Sequence, residues 1–189
     1  MRISMTAAAC VMLAACGGPE TSQANNAQAN ISDESRDTNA ASPTTTANGM
    51  VMLAGPVKGQ EAFRIMHERH EGMETIGKSA KSIKRELESE SPDLASVRSS
   101  ATKIADLSQK ASNWFPAGTG PDVGKTGVKP AIWQNQQDFG TKLHNFQVAA
   151  QAFNSAASGN DVNAIKAKWG ELGQACKACH EKYRSEMHH

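Results

Sequence analysis

Five residues near the C-terminus, Cys176-Lys177-Ala178-Cys179-His180, hold the densest chemistry in the chain. Cysteines three apart on a helix project from one face, so their thiols can add to the two vinyl groups of a single porphyrin, and the next residue, His180, can reach the iron. One helical turn then supplies two covalent bonds and an axial ligand, which is the C-x-x-C-H signature of c-type haem attachment. Two other chemistries use paired cysteines. A thioredoxin-like dithiol needs a strand leading into a helix, and this chain has no such context. A zinc site needs further Cys or His at metal spacing, and only His188 and His189 stand nearby. The expected cofactor is one covalently bound haem c.

The other two of the four cysteines, Cys10 and Cys16, lie in a segment of a different kind. Residues 1–15 carry one early positive charge, Arg2, and then a short apolar stretch too short to span a bilayer, the pattern of a signal peptide. The run Leu13-Ala14-Ala15-Cys16-Gly17 resembles the bacterial lipoprotein cleavage box, which makes Cys16 the expected lipidation site and first mature residue. An ordinary cleaved signal also has small residues before its cut, so Cys16 carries the distinction. Export also matches the compartment where c-type haem is attached. Gly17, in place of an acidic residue, leans toward sorting to the outer membrane.

Residues 16–55 are rich in Asn, Gln, Ser, Thr, Ala and Pro and have few apolar side chains to offset the entropy of ordering. They read as a disordered, lipidated tether with a root-mean-square span of roughly 35 Å for a soft chain of this size. The short apolar run Met50 to Leu53 interrupts it.

The remainder, residues 56–189, must position the C-x-x-C-H turn. In a chain of 189 residues aromatics make up 5% and the net charge is +1, which gives no basic footprint for nucleic acid. Alanine, Lys, Glu and Gln are abundant and favour helices. Pro56 suits a first turn, and Phe63, Met66, His70, Met73, Ile76, Ala80, Ile83 and Leu87 recur at helical steps, predicting a helix over about 57–89. Ser91-Pro92-Asp93 reads as a cap, a first-turn proline and an early acid opening a second helix. Gly118, Gly120, Pro121, Gly124, Gly127 and Pro130 force a long loop, for which a cofactor edge is a natural partner.

A third helix is expected from Pro130 to about Ser158, and a fourth, capped by Asn160 or Asp161, carries Val162, Ile165, Trp169, Leu172, Cys176, Cys179 and Tyr183 on one stripe. Short links make neighbours antiparallel. The expected fold is all-α, an up-down-up-down four-helix bundle with haem c attached on its last helix. The Lys81, Lys84, Arg85, Glu86, Glu88 and Glu90 seam reads as a solvated face.

A C-terminal C-x-x-C-H on the last helix of such a bundle resembles the class II cytochromes c, the cytochrome c′ family, over about residues 57–186. Four segments carry the likeness: Arg69 with Met73 and Ile76; Phe115-Pro116-Ala117-Gly118-Thr119; Lys129-Pro130-Ala131-Ile132-Trp133; and Cys176-Lys177-Ala178-Cys179-His180-Glu181-Lys182-Tyr183-Arg184. The resemblance implies thioether bonds from Cys176 and Cys179, His180 as the proximal iron ligand, and Arg69 as partner of a haem propionate. It also implies homodimers through the first two helices.

The family divides by what faces the iron opposite the histidine. Low-spin members place a methionine there, and Met73, four residues after Arg69, stands in that position; Met66 and His70 are the alternatives on the same helix. On this reading the protein is a periplasmic one-haem electron-transfer protein with a low-spin His/Met centre. It is not an enzyme, exchanges electrons with redox protein partners, and meets the membrane only through its lipid. The alternative is a high-spin, five-coordinate member that binds NO or CO.

Overall fold

The computed structural model describes residues 55–186. The signal peptide, the lipidation site Cys16, the tether and the Met50 to Leu53 run all lie outside the described residues. Five helices follow: α1 (Gly59–Glu88), α2 (Leu94–Lys110), a short α3 (Ala131–Gln134), α4 (Gln136–Ala157) and α5 (Val162–Tyr183). Among the described residues there is no strand, only an isolated antiparallel bridge between Val128 and Arg184. The four long helices are the expected bundle. Helix α1 packs on α2, α2 on α4, and α4 on α5.

Local chemistry explains where the boundaries depart from expectation. Pro56 lies ahead of α1, because Gly59 takes a φ of +58° and Val57 N–H donates instead to Ala117 O at 2.8 Å. The cap of α2 is Asp93, not Ser91: one carboxylate oxygen accepts from Ala95 and Ser96 N–H at 2.9 and 3.2 Å. Asp161 caps α5 in the same way, while Asn160 accepts from Arg98, which also donates to Ala157 O and Gly159 O at the end of α4.

The expected third helix is broken at Asn135, whose φ of −129° and ψ of 51° are not helical. The short turn before the break is held elsewhere: Trp133 Nε1–H donates to Phe115 O and Pro116 O, tying α3 to the loop rather than to the axis of α4.

The inward stripe of α1 also differs. Its first half buries Ala62, Ile65, Met66, Arg69 and Gly72, while Phe63 is 55% exposed and His70 faces solvent. From Ile76 onward, Ile83 and Leu87 follow the expected register into a core with Val97, Ile104, Phe139, Leu143, Phe153, Ile165 and Leu172. The charged seam of α1 is solvated, with ion pairs such as Lys84 to Glu88.

Candidate haem site

Helices α1 and α5 do not pack closely on one another. The loop at 114–130 spans that side of the bundle and is fastened at both ends. Ala117 O accepts from Val57 N–H; Lys129 N–H donates to Tyr183 O at 2.8 Å and Ser185 N–H to Gly127 O at 3.0 Å. Gly118, with a φ of +89°, permits the turn, since a Cβ there would meet Val57 O.

Arg69 sets the middle of the loop. Only 3% exposed, its guanidinium donates from Nη1 to Trp114 O and Thr119 Oγ1 and from Nη2 to Thr119 O and Thr126 Oγ1, all within 2.8–3.0 Å. These partners are neutral oxygens, and no ion pair joins Arg69 among the described residues. Burial pulls its pKa down to about 10. Arg69 is thus a buried cation whose hydrogen-bond partners are all neutral, an environment that suits a carboxylate.

Helix α5 carries Cys176 and Cys179 on one face, both half-buried. Both pack against the same apolar cluster as Met73 of α1, with Trp133 and Trp169 also on its edge. Burial pushes the Cys179 thiol up to about 11, opposed by nearby Lys142 and reinforced by Cys176 and Asp138; Cys176 is raised as well, also by burial. His180 sits at the outer margin of that face. Desolvation first and Arg184 second lower its pKa, favouring the neutral imidazole that an iron ligand must be.

The residues present therefore fit a covalently held haem. Paired cysteines lie one helical turn apart and pack against the apolar core, a histidine whose pKa is lowered by burial follows, and a buried guanidinium has neutral oxygens as its hydrogen-bond partners. Among the described residues no further His, Cys, Asp or Glu completes a metal cluster around the cysteines, and His188 and His189 lie outside that range.

Two features escaped sequence reasoning. Trp114, 1% exposed, lies where a Cβ on Gly72 would stand, so its ring rests on the α1 backbone beside Met73. A glycine in a helix interior costs about 1 kcal/mol, and that cost was the available signal for close approach. The second is Asp138, which accepts from Tyr183 Oη–H at 2.5 Å and from Lys182 Nζ at 3.0 Å.

A four-helix bundle that carries a haem-attachment turn on its last helix has the architecture of a class II cytochrome c. The sequence pattern of the family described as Cytochrome C′ matches residues 64–184, and the chain belongs to that family. It carries one covalently attached haem c. It is similar to "Cytochrome c′" of Allochromatium vinosum, at 36% identity over 149 residues, 75% of this chain and 96% of the relative. "Cytochrome c-554" of Cereibacter sphaeroides is 30% identical over 143 residues, 71% of this chain and 92% of that one. The solved structure of a cytochrome c′ "with an unusual ligand-controlled dimer dissociation" superposes with a TM-score of 0.59 at 32% identity, covering 68% of this chain and 100% of that one.

Proposed function

We propose that this protein is a periplasmic one-haem cytochrome c′ whose iron is held from one side by His180 and left open on the other to a small diatomic ligand such as NO or CO. The observation that carries this reading is the packing of Met73 among apolar side chains of the core. Met73 lies half-buried in the apolar cluster that also receives Cys176 and Cys179, with Ile76, Trp114 and Phe115 in that same cluster. On this reading Met73 is a wall residue, in keeping with the adaptable packing of methionine. When bound, haem supplies an iron centre able to take a neutral diatomic ligand and to exchange one electron.

The chain's own residues do the rest. Cys176 and Cys179 fix the porphyrin to α5, His180 offers a neutral ring nitrogen, and Arg69 receives a propionate while holding the loop over the crevice. The apolar wall excludes water and offers no hard base. The protein acts by binding or by electron transfer, without turning over a substrate.

The expectation of a closed His/Met electron carrier becomes the second reading. It is supported by the thioether at position 73, four residues after Arg69. The first reading draws more support from the relatives, since the family pattern and most of the similar proteins are cytochromes c′.

Electron paramagnetic resonance of the ferric protein separates the two. The open site gives a high-spin signal that survives Met73→Leu. A low-spin signal that turns high-spin only in Met73→Leu supports the closed site and contradicts the open one.

Three further parts belong to the proposal. Cys16 carries a lipid that tethers the bundle to the membrane through residues 16–55. Its electron-exchange partners are redox proteins. Two copies pair through α1 and α2, a reading supported by the ligand-controlled dimer among its structural relatives.

A further inference from the structure

The end of α5 is fastened from outside the apolar wall. Asp138, in the first turn of α4, receives the Tyr183 hydroxyl at 2.5 Å and the Lys182 ammonium at 3.0 Å on the same oxygen, Oδ2. Its other oxygen lies 3.9 Å from Lys142 Nζ, one turn further along α4. Tyr183 itself is 2% exposed, and its ring meets that of Phe139 edge-on at a centroid distance of 5.2 Å. Tyr183 closes the helical turn that begins at His180, whose carbonyl accepts from Arg184 N–H at 3.0 Å.

We propose that Asp138 is a positioning residue for the proximal ligand, holding the final turn of α5 through the Tyr183 hydroxyl so that the His180 imidazole meets the iron in one orientation. The inference rests on His180 being that ligand and goes beyond it. A helix end left to fray moves its last turn most, and His180 lies within that turn. Backbone bonds to the loop hold the chain at that end, and a short bond from a buried phenol to a carboxylate on a neighbouring helix adds a side-chain restraint from the α4 side. Shells outside the ligands of a metal site commonly orient them in this way. Lys182 and Lys142, with side chains 46% and 25% exposed, are partly screened by solvent, so the Tyr183 bond carries the positioning.

The test uses the full-length haem-loaded protein and reads the hyperfine-shifted proton resonances of the His180 side chain, which report its orientation at the iron in either spin state. Asp138→Ala and Tyr183→Phe each remove the same bond. Both are expected to shift these resonances, and the double variant to shift them no further than the larger single. Asp138→Asn keeps an acceptor for the hydroxyl without the charge and is expected to restore the wild-type pattern. Unchanged resonances in the single variants, a shift in only one of them, additive shifts in the double, or no recovery in Asp138→Asn would each overturn the proposal, even if thermal stability falls. Resonances that persist in His180→Ala overturn the ligand assignment instead.

Discussion

The benzo edge of the Trp114 indole occupies the space that a side chain at residue 72 would need, so Gly72 and Trp114 are matched across the junction of α1 and the loop. That match lets α1 and the loop approach closely one residue before Met73. A methyl group at 72 cannot be accommodated without moving a fully buried ring. Gly72→Ala gains up to about 1 kcal/mol of helix propensity, but overpacking costs roughly 1–3 kcal/mol. The expected outcome is net destabilisation, seen as a lower urea midpoint of the haem-loaded protein. A raised midpoint would contradict the contact.

Arg69 organises the loop through four hydrogen bonds. Arg69→Met leaves Trp114 O and Thr119 O without their donor inside the protein. Hydrogen bonds from a charged donor contribute about 1.5–3 kcal/mol each and do not add, so a loss of about 3 kcal/mol is expected. Hydrogen exchange should accelerate across residues 114–127 and leave the middle of α4 protected. Equal acceleration everywhere would show that the arginine is only a global stabiliser. Arg69→Lys should recover the charge but not the loop, because an ammonium cannot reproduce the planar fork.

Acid should weaken the α4–α5 clasp. The Tyr183 hydroxyl first, and Lys182 second, hold the Asp138 carboxyl below the ordinary carboxylate range. A depressed folded-state pKa means stabilisation that is fully present above the unfolded value, about 4, and lost as pH falls through the lower folded one. With 43% of its side chain exposed, the effect is screened to about 1 kcal/mol or less. The drop in stability between pH 5 and pH 2 should be smaller in Asp138→Asn than in wild type; equal drops would rule out this linkage.

The lipid tether makes a separate prediction. Cys16→Ser should release the bundle from membranes into the soluble periplasmic fraction with its haem intact. Unchanged sedimentation with membranes would remove Cys16 as the anchor.

Much of this architecture was legible in the order of residues. The C-x-x-C-H turn identifies its own chemistry, and the stripe from Val162 to Tyr183 follows the helical period so regularly that α5 and the face of its cysteines were clear. Local periodicity could not show which way the first half of α1 turns. Phe63 and His70 fit an apolar spacing as well as Ala62, Ile65 and Arg69 do, and only the loop's demand for a buried guanidinium decides between them. The break at Asn135 was hidden for a similar reason: Trp133 bonds to carbonyls at 115 and 116, a contact no local window contains. Asp138 and Tyr183 lie on different helices, so their bond exists only in the assembled bundle.

The proposed open face opposite His180 is most directly tested by adding carbon monoxide to the reduced, haem-loaded protein and following its visible spectrum. An open site gives an immediate change at low ligand concentration, the same in wild type and in Met73→Leu. A reduced spectrum indifferent to carbon monoxide until Met73 is replaced would contradict it.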